Sequence, residues 1–138
     1  MFKRIVVPVD LAHVSKLEKA LRLARDLAQK YEAELCYVGV TTSTPSAVSR
    51  TPEEFTRKLQ AFAAEQAKSS QSTASTHTIV SHDPTIQMDR ELEEAIDELG
   101  ADLVVMASHV PNVADYVWSG HGAHIAAHSN ASVMLVRD

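Results

Sequence analysis

The chain has 138 residues, 45% of them apolar and 22% charged, with a net charge of −5 and a single cysteine. One cysteine excludes an internal disulfide, and an acidic balance without a basic run argues against nucleic acid, whose phosphates need a positive surface. A chain of this length buries roughly 65–70% of its unfolded surface, so one self-sufficient domain over residues 1–138 is expected. No long apolar run is present, so neither a signal peptide nor a membrane partner is read from the sequence, and a soluble cytoplasmic protein is expected.

The first element is "RIVVPV", Arg4 to Val9, a β-branched run without alternation. That pattern fits a strand covered on both faces, as in parallel sheets. The next stretch, from His13 to Ala33, places Val14, Leu17, Leu21, Ala24, Leu27, Ala28 and Tyr31 on one helical face. "ELCYVGV", Glu34 to Val40, is a second buried strand, and Cys36 within it is read as a small buried hydrophobe. "TTSTPSAVSR" is a loop ending at Thr51, which can cap a helix with Pro52 in the first turn and Glu54 completing a capping box. Phe55, Leu59, Phe62, Ala63 and Gln66 mark one side of that helix.

A polar connection, "SSQSTAS", leads to a weaker third strand, "THTIVS". Asp83 and Pro84 then restart helix, with Met88, Leu92, Ala95, Ile96 and Leu99 on the buried face and Gly100 as the stop. "DLVVMA" is a fourth strand, "GHGAHIAAHS" a short helix and "SVMLVR" a closing strand. About five strands alternating with four helices imply an α/β, single-domain Rossmann-like or flavodoxin-like layered fold with a parallel sheet. In such sheets ligands bind beyond the carboxyl ends of the strands, where strand order reverses. That rule directs attention to Asp10, Val40 and the loop from Ser108 to His121, behind which a helix start offers free N–H groups to an anion.

Several landmarks together resemble the universal stress protein family. They are "KRIVVPVD", "KALRLARDLAQKYEAEL", the "DP" before the third helix, "GADLVVMASH" and the final "ASVMLVRD". The resemblance spans nearly the whole chain and is weakest from Thr41 to Thr78. It implies a five-stranded parallel sheet in order 3-2-1-4-5, and a homodimer paired through the last strand, Ser132 to Arg137.

One branch of that family binds ATP through Gly-x-x-Gly, nine residues, then Gly-Ser or Gly-Thr. Carried onto this chain, the first Gly is Ala107 and the second is Val110. The nine residues from Pro111 to Ser119 then lead to Gly120, which is kept, and the hydroxyl position is His121. Asp10 and Val40 match positions that contact adenosine in that branch, while Leu11-Ala12 and His82 replace small residues of its pattern. His109, shared with the family pattern, is expected to hydrogen-bond the loop.

The departures carry physical weight. β-Branched Val110 disfavours the positive φ a phosphate cradle uses, a misfit of about 1–3 kcal/mol. Pro111 removes an N–H from the loop. The candidate crevice is therefore Asp10, Val40, Ala107, His109, Val110, Gly120 and His121 in a degenerate form. No cofactor is expected, the alternative being ATP or another adenine nucleotide.

His121, His124 and His128, with His109, have spacings that suggest zinc or nickel, but no carboxylate lies inside the set. Solvated helix histidines are the expectation, and no metal site is assigned. Tyr116 and Trp118 have rings that could stack on a base, but Trp118, which leads into an apolar helix face, is read as core or interface. Neither a Walker lysine motif nor a Gly-x-Gly-x-x-Gly follows the first strand, and no catalytic triad spacing is present. The expected function is that of a non-enzymatic regulatory homodimer in the stress response, independent of ATP and acting on an unidentified protein partner. The alternative is an adenine-nucleotide switch with weak or no hydrolysis.

Overall fold

The computed structural model describes residues 1–70, 73–108 and 121–137, with side chains throughout these except at 84–86 and 121. Five strands, β1 (Arg4–Pro8), β2 (Glu34–Thr42), β3 (Ala74–Ser81), β4 (Leu103–Ser108) and β5 (Ser132–Arg137), form one sheet in the order β3-β2-β1-β4-β5. Every described pairing is parallel: Val6 sits opposite Cys36 on one side and Val104 on the other, and Val105 sits opposite Met134. The four helices are α1 (Glu18–Tyr31), α2 (Pro52–Lys68), α3 (Pro84–Glu98) and α4 (His121–His128). The expected fold class and strand order are therefore observed.

Alternate residues of the central strands feed two separate cores, one on each face, which is why no polar residue interrupts them. Ile5, Val7, Leu35, Tyr37, Leu103 and Val105 pack with Leu21 and Ala24 of α1 and Phe55 and Leu59 of α2. Val6, Cys36, Val38, Val104 and Met106 pack with Met88, Leu92 and Ile96 of α3 and Ile125 of α4. The Cys36 thiol is buried as expected, and burial pushes its pKa up, with Ser75 and Arg4 pulling less strongly the other way.

Element boundaries follow local chemistry. Instead of one helix from His13, a 3₁₀ segment runs from Leu11 to Leu17 and the α-helix begins at Glu18. His13, at φ −134°, breaks the helical path because its ring turns back to the Asp10 carboxylate. At the start of α2 the Thr51 hydroxyl accepts the Glu54 N–H at 3.1 Å, but the Glu54 carboxylate reaches the Arg50 N–H at 3.2 Å rather than that of Thr51. The box is thus completed one residue early, and that bond is the leading reason the Glu54 carboxyl is held below its ordinary range.

β2 runs two residues beyond Val40, and β3 takes Ala74 and Ser75 from the polar connection, because the paired backbones saturate each other from Leu35–Ala74 to Thr42–Ser81. β5 has the expected limits, and Gly100 adopts φ +66° at the stop after α3. Among the described residues no helix is long and apolar enough to cross a membrane.

At the amino end of the sheet the Asp102 carboxylate accepts the backbone N–H groups of Lys3 at 2.8 Å and Arg4 at 3.1 Å. Arg4 in turn donates to Glu34 and to the Leu99 carbonyl, joining β1, β2 and the end of α3.

Tyr37 is fully buried, edge-on to Phe62 at 5.4 Å, and its hydroxyl has no hydrogen-bond partner among the described residues. Burial raises its pKa to about 12, with Arg25 acting weakly against the shift. Its contribution to stability is complete below pH ~10 and is lost as pH rises towards 12, because the folded state resists ionisation that the unfolded chain accepts. Tyr37→Phe should be neutral or stabilising by up to about 1 kcal/mol in urea at pH 7, and should flatten the stability loss between pH 10 and 12. A clear destabilisation by Tyr37→Phe at pH 7 would show that the hydroxyl has a partner.

Candidate functional site

The strand order places β1 between β2 and β4, and the helices that follow β1 and β4, α1 and α4, pack on opposite faces, which makes the carboxyl ends of these two strands the switch point of the sheet. A cavity of about 260 Å³ lies there, between the chain leaving β1 and the end of β2. Its walls are mostly apolar: Val9, Leu11, Val40, Val48, Phe55 and Met88, with Asp10, Thr41 and Ser46 among its polar groups. Gly39 is what lets α2 close the wall, since a Cβ there would lie 2.7 Å from the Phe55 ring.

The outer wall, 42–49, is held by its own hydrogen bonds. The Ser46 N–H donates to the Ser49 carbonyl at 2.8 Å, and the Ser46 hydroxyl accepts the N–H groups of Val48 and Ser49. Lys58 of α2 donates to the Val48 carbonyl and pairs with Glu54 at 3.4 Å, fastening this wall to the helix.

Asp10 is only 4% exposed. One carboxylate oxygen accepts the Ala12 N–H at 3.0 Å and the other lies 2.8 Å from His13 Nδ1. In the folded chain Asp10 acts as a cap: it closes the first turn of the 3₁₀ segment. The same residue also lines the cavity, so a ligand there meets a carboxylate already held by two local partners.

Of the residues singled out from sequence, Asp10 and Val40 come together in the cavity wall. Ala107 is half-buried near the end of β4 and packs against the core shared with α1 and α2. His109, Val110, Gly120, Tyr116 and Trp118 lie outside the described residues, as does the side chain of His121. Sequence reasoning missed Phe55, Met88 and the 42–48 wall as lining groups. Phe55 and Met88 were readable only as helix faces pointing inward, and which cavity a buried face borders depends on the crossing of the chain.

The match to known proteins is consistent across sequence and fold. The model of the universal stress protein family matches residues 1–137. The chain belongs to the universal stress protein family. It is 27% identical to universal stress protein G of Shigella flexneri, over 99% of this chain and all of the relative. Among solved structures, a universal stress protein in complex with cAMP is similar, at 22% identity, TM-score 0.65 and coverage of 98% of this chain and 97% of the other. The universal stress protein of Archaeoglobus fulgidus in complex with dAMP is similar at 17% identity and TM-score 0.67, covering 96% of each chain. These likenesses establish the family and the shared fold.

If Asp10 serves the fold by capping, Asp10→Ala should cost about 1–2 kcal/mol. Asp10→Asn, which keeps an oxygen for the Ala12 N–H, should cost less. Thermal unfolding of the two variants checks the order; equal stability of Asp10→Ala and the parent chain would remove the capping role.

Proposed function

We propose that this universal stress protein is a non-enzymatic regulatory homodimer whose action does not depend on ATP. The observation that carries this reading is the state of Asp10, the polar group of the crevice that the family pattern assigns to adenosine. Both its oxygens are engaged within the chain, by the Ala12 N–H and by His13. The phosphate end agrees by composition: Ala107, Val110 and His121 stand where the ATP-binding branch has two glycines and a hydroxyl, and Pro111 lacks an N–H.

The dimer reading rests on the sheet edge. Among the described strands β5 pairs only with β4, and its Met134 and Leu135 are exposed at 37% and 45%. An unpaired strand with apolar side chains is a template for another chain. Two copies related by a two-fold axis would pair these edges antiparallel through Ser132–Arg137. The partner through which the dimer acts is a protein, in keeping with the acidic balance and with the absence of any membrane-length apolar helix among the described residues.

A second reading is favoured by the shape of the cavity and by the relatives solved with cAMP and dAMP. At about 260 Å³ the space lies just below the roughly 300–1,000 Å³ of pockets for drug-sized ligands, and its walls are apolar. It suits a flat heterocycle with a small polar appendage better than a nucleoside triphosphate, so an adenine mononucleotide is the ligand of this alternative.

Calorimetric titration with ATP, ADP and AMP in the presence of Mg²⁺ separates the two. No saturable heat with ATP is expected; micromolar, stoichiometric ATP binding weakened by Asp10→Ala would overturn the first reading. Saturation by AMP alone would establish the second.

Sedimentation should give a species of about 30 kDa, twice the 15.1 kDa chain. Met134→Lys, placing a charge on the edge, should shift it towards monomer. A monomer at micromolar concentration in the parent protein would refute the dimer.

A further inference from the structure

Away from the crevice, α3 and α4 bring together three groups that sequence spacing alone leaves apart. His124 and His128 are four residues apart on α4, so their rings lie on one face, stacked at a centroid distance of 4.2 Å and 23° between planes. Glu93, on α3, projects to the same place. Its Oε1 is 2.8 Å from His124 Nε2 and 3.9 Å from His128 Nδ1. One donor atom from each of the three residues lies within 4.8 Å of the others.

The contact between Glu93 and His124 is not an ordinary hydrogen bond. Oε1 is buried and accepts no properly directed bond from the described residues, although an imidazole nitrogen sits 2.8 Å away. The oxygen and the nitrogen approach side by side rather than along an N–H axis. An oxygen and a nitrogen this close, with no N–H aimed between them, leave lone pairs that a shared cation can take.

The surroundings hold the two rings as ligands are held. His128 Nδ1 lies 2.9 Å from the His124 carbonyl, so Nδ1–H donates there and Nε2 keeps its lone pair. His124 turns Nε2 to Glu93, while its Nδ1 lies 3.9 Å from an Asp89 carboxylate oxygen, beyond hydrogen-bond reach but near enough for electrostatic attraction. His128 is the last residue of α4, where the helix dipole favours positive charge.

We propose that Glu93, His124 and His128 form a zinc-binding site that joins α3 to α4. Two imidazoles and one carboxylate suit Zn²⁺, with a water in the fourth position. Ligands at about 2.0–2.2 Å from the ion would stand roughly 3.3–3.6 Å apart. The Glu93–His124 pair is closer than that range and one donor atom from each of the three residues lies within 4.8 Å of the others, so rotations of the half-exposed rings bring the three to it. The cluster opens to solvent, with His128 57% exposed, so the ion has a path in. The sole cysteine, Cys36, is buried in β2 and does not compete.

A bound ion would fasten α4 to α3, and with it the neighbourhood of β5. Gly122 of α4 lies so close to Leu135 that a Cβ there would clash with the side chain. Fixing α4 therefore also fixes what Leu135 packs against. Glu93, His124 and His128 do not line the cavity beside Asp10, so zinc binding is read out separately from nucleotide binding.

The test uses untagged full-length protein stripped with a chelator and titrated with ZnCl₂ by calorimetry, with Co²⁺ absorption as a report of ligand number. One ion per chain is expected, together with a rise in Tm. His128→Ala, at an exposed position whose loss leaves the core intact, should weaken zinc binding at least tenfold, as should Glu93→Gln. Asp89→Asn should weaken it less, and His82→Ala not at all. No stoichiometric zinc binding, or binding unchanged in His128→Ala, would overturn the proposal and leave the cluster as an ion pair between helices.

Discussion

The rest of the molecule depends on the double burial of β1. Its residues alternate between two cores, Ile5 and Val7 to one and Val6 to the other, and its backbone pairs with β2 on one side and β4 on the other. A strand so placed cannot carry a polar side chain within its span without leaving it unsatisfied, and "RIVVP" carries none after Arg4. Helices must then cover both faces: α1 and α2 on one, α3 and α4 on the other. The reversal of strand order at β1 leaves its carboxyl end uncovered, and the cavity beside Asp10 is the consequence.

That cavity explains how one acidic side chain can serve both the fold and a site. A carboxylate buried to this degree must be hydrogen-bonded or neutral. Asp10 meets the requirement locally, through the Ala12 N–H and His13, and in doing so bends the chain into the 3₁₀ segment before α1. A ligand seeking a hydrogen bond from the same carboxylate competes with partners two and three residues away in sequence. Apolar contact with Val40, Val48, Phe55 and Met88 carries no such competition. The crevice is therefore better prepared for the flat face of a ligand than for its polar edge.

Much of the fold was legible because strand and helix periods are local. Ser132–Arg137 is bounded by the residues expected, and the inward faces of α1 and α3 are those the 3.6-residue period selects. What was not legible depended on contacts across the chain. β2 and β3 lengthen because each supplies the other's backbone partners, a pairing absent from either segment alone. His13 leaves the helix because Asp10 holds its ring. In the site, Asp10 and Val40 could be placed from the strand ends, but Phe55 and Met88 enter the cavity only through the packing of α2 and α3. Glu93 is the sharpest case. The spacing of His124 and His128 is plain in sequence, yet the carboxylate beside them lies on another helix, some thirty residues earlier.

α3 is the element that touches both regions. Leu92, Ala95 and Ile96 lock one face of it against the sheet, and from the same face Met88 reaches the floor of the cavity. Asp89 and Glu93, four residues apart, form a second stripe turned towards α4 and its histidines. A helix fixed along a fully buried face moves as a rigid body rather than bending between its stripes. The cavity beside Asp10 and the cluster at Glu93 are therefore set by the position of one body. Ala95, small and 3% exposed between the larger Leu92 and Ile96, lets that body lie close to the sheet. The same close approach that seals the core thus fixes the distance from Met88 to Val40 and from Glu93 to His124.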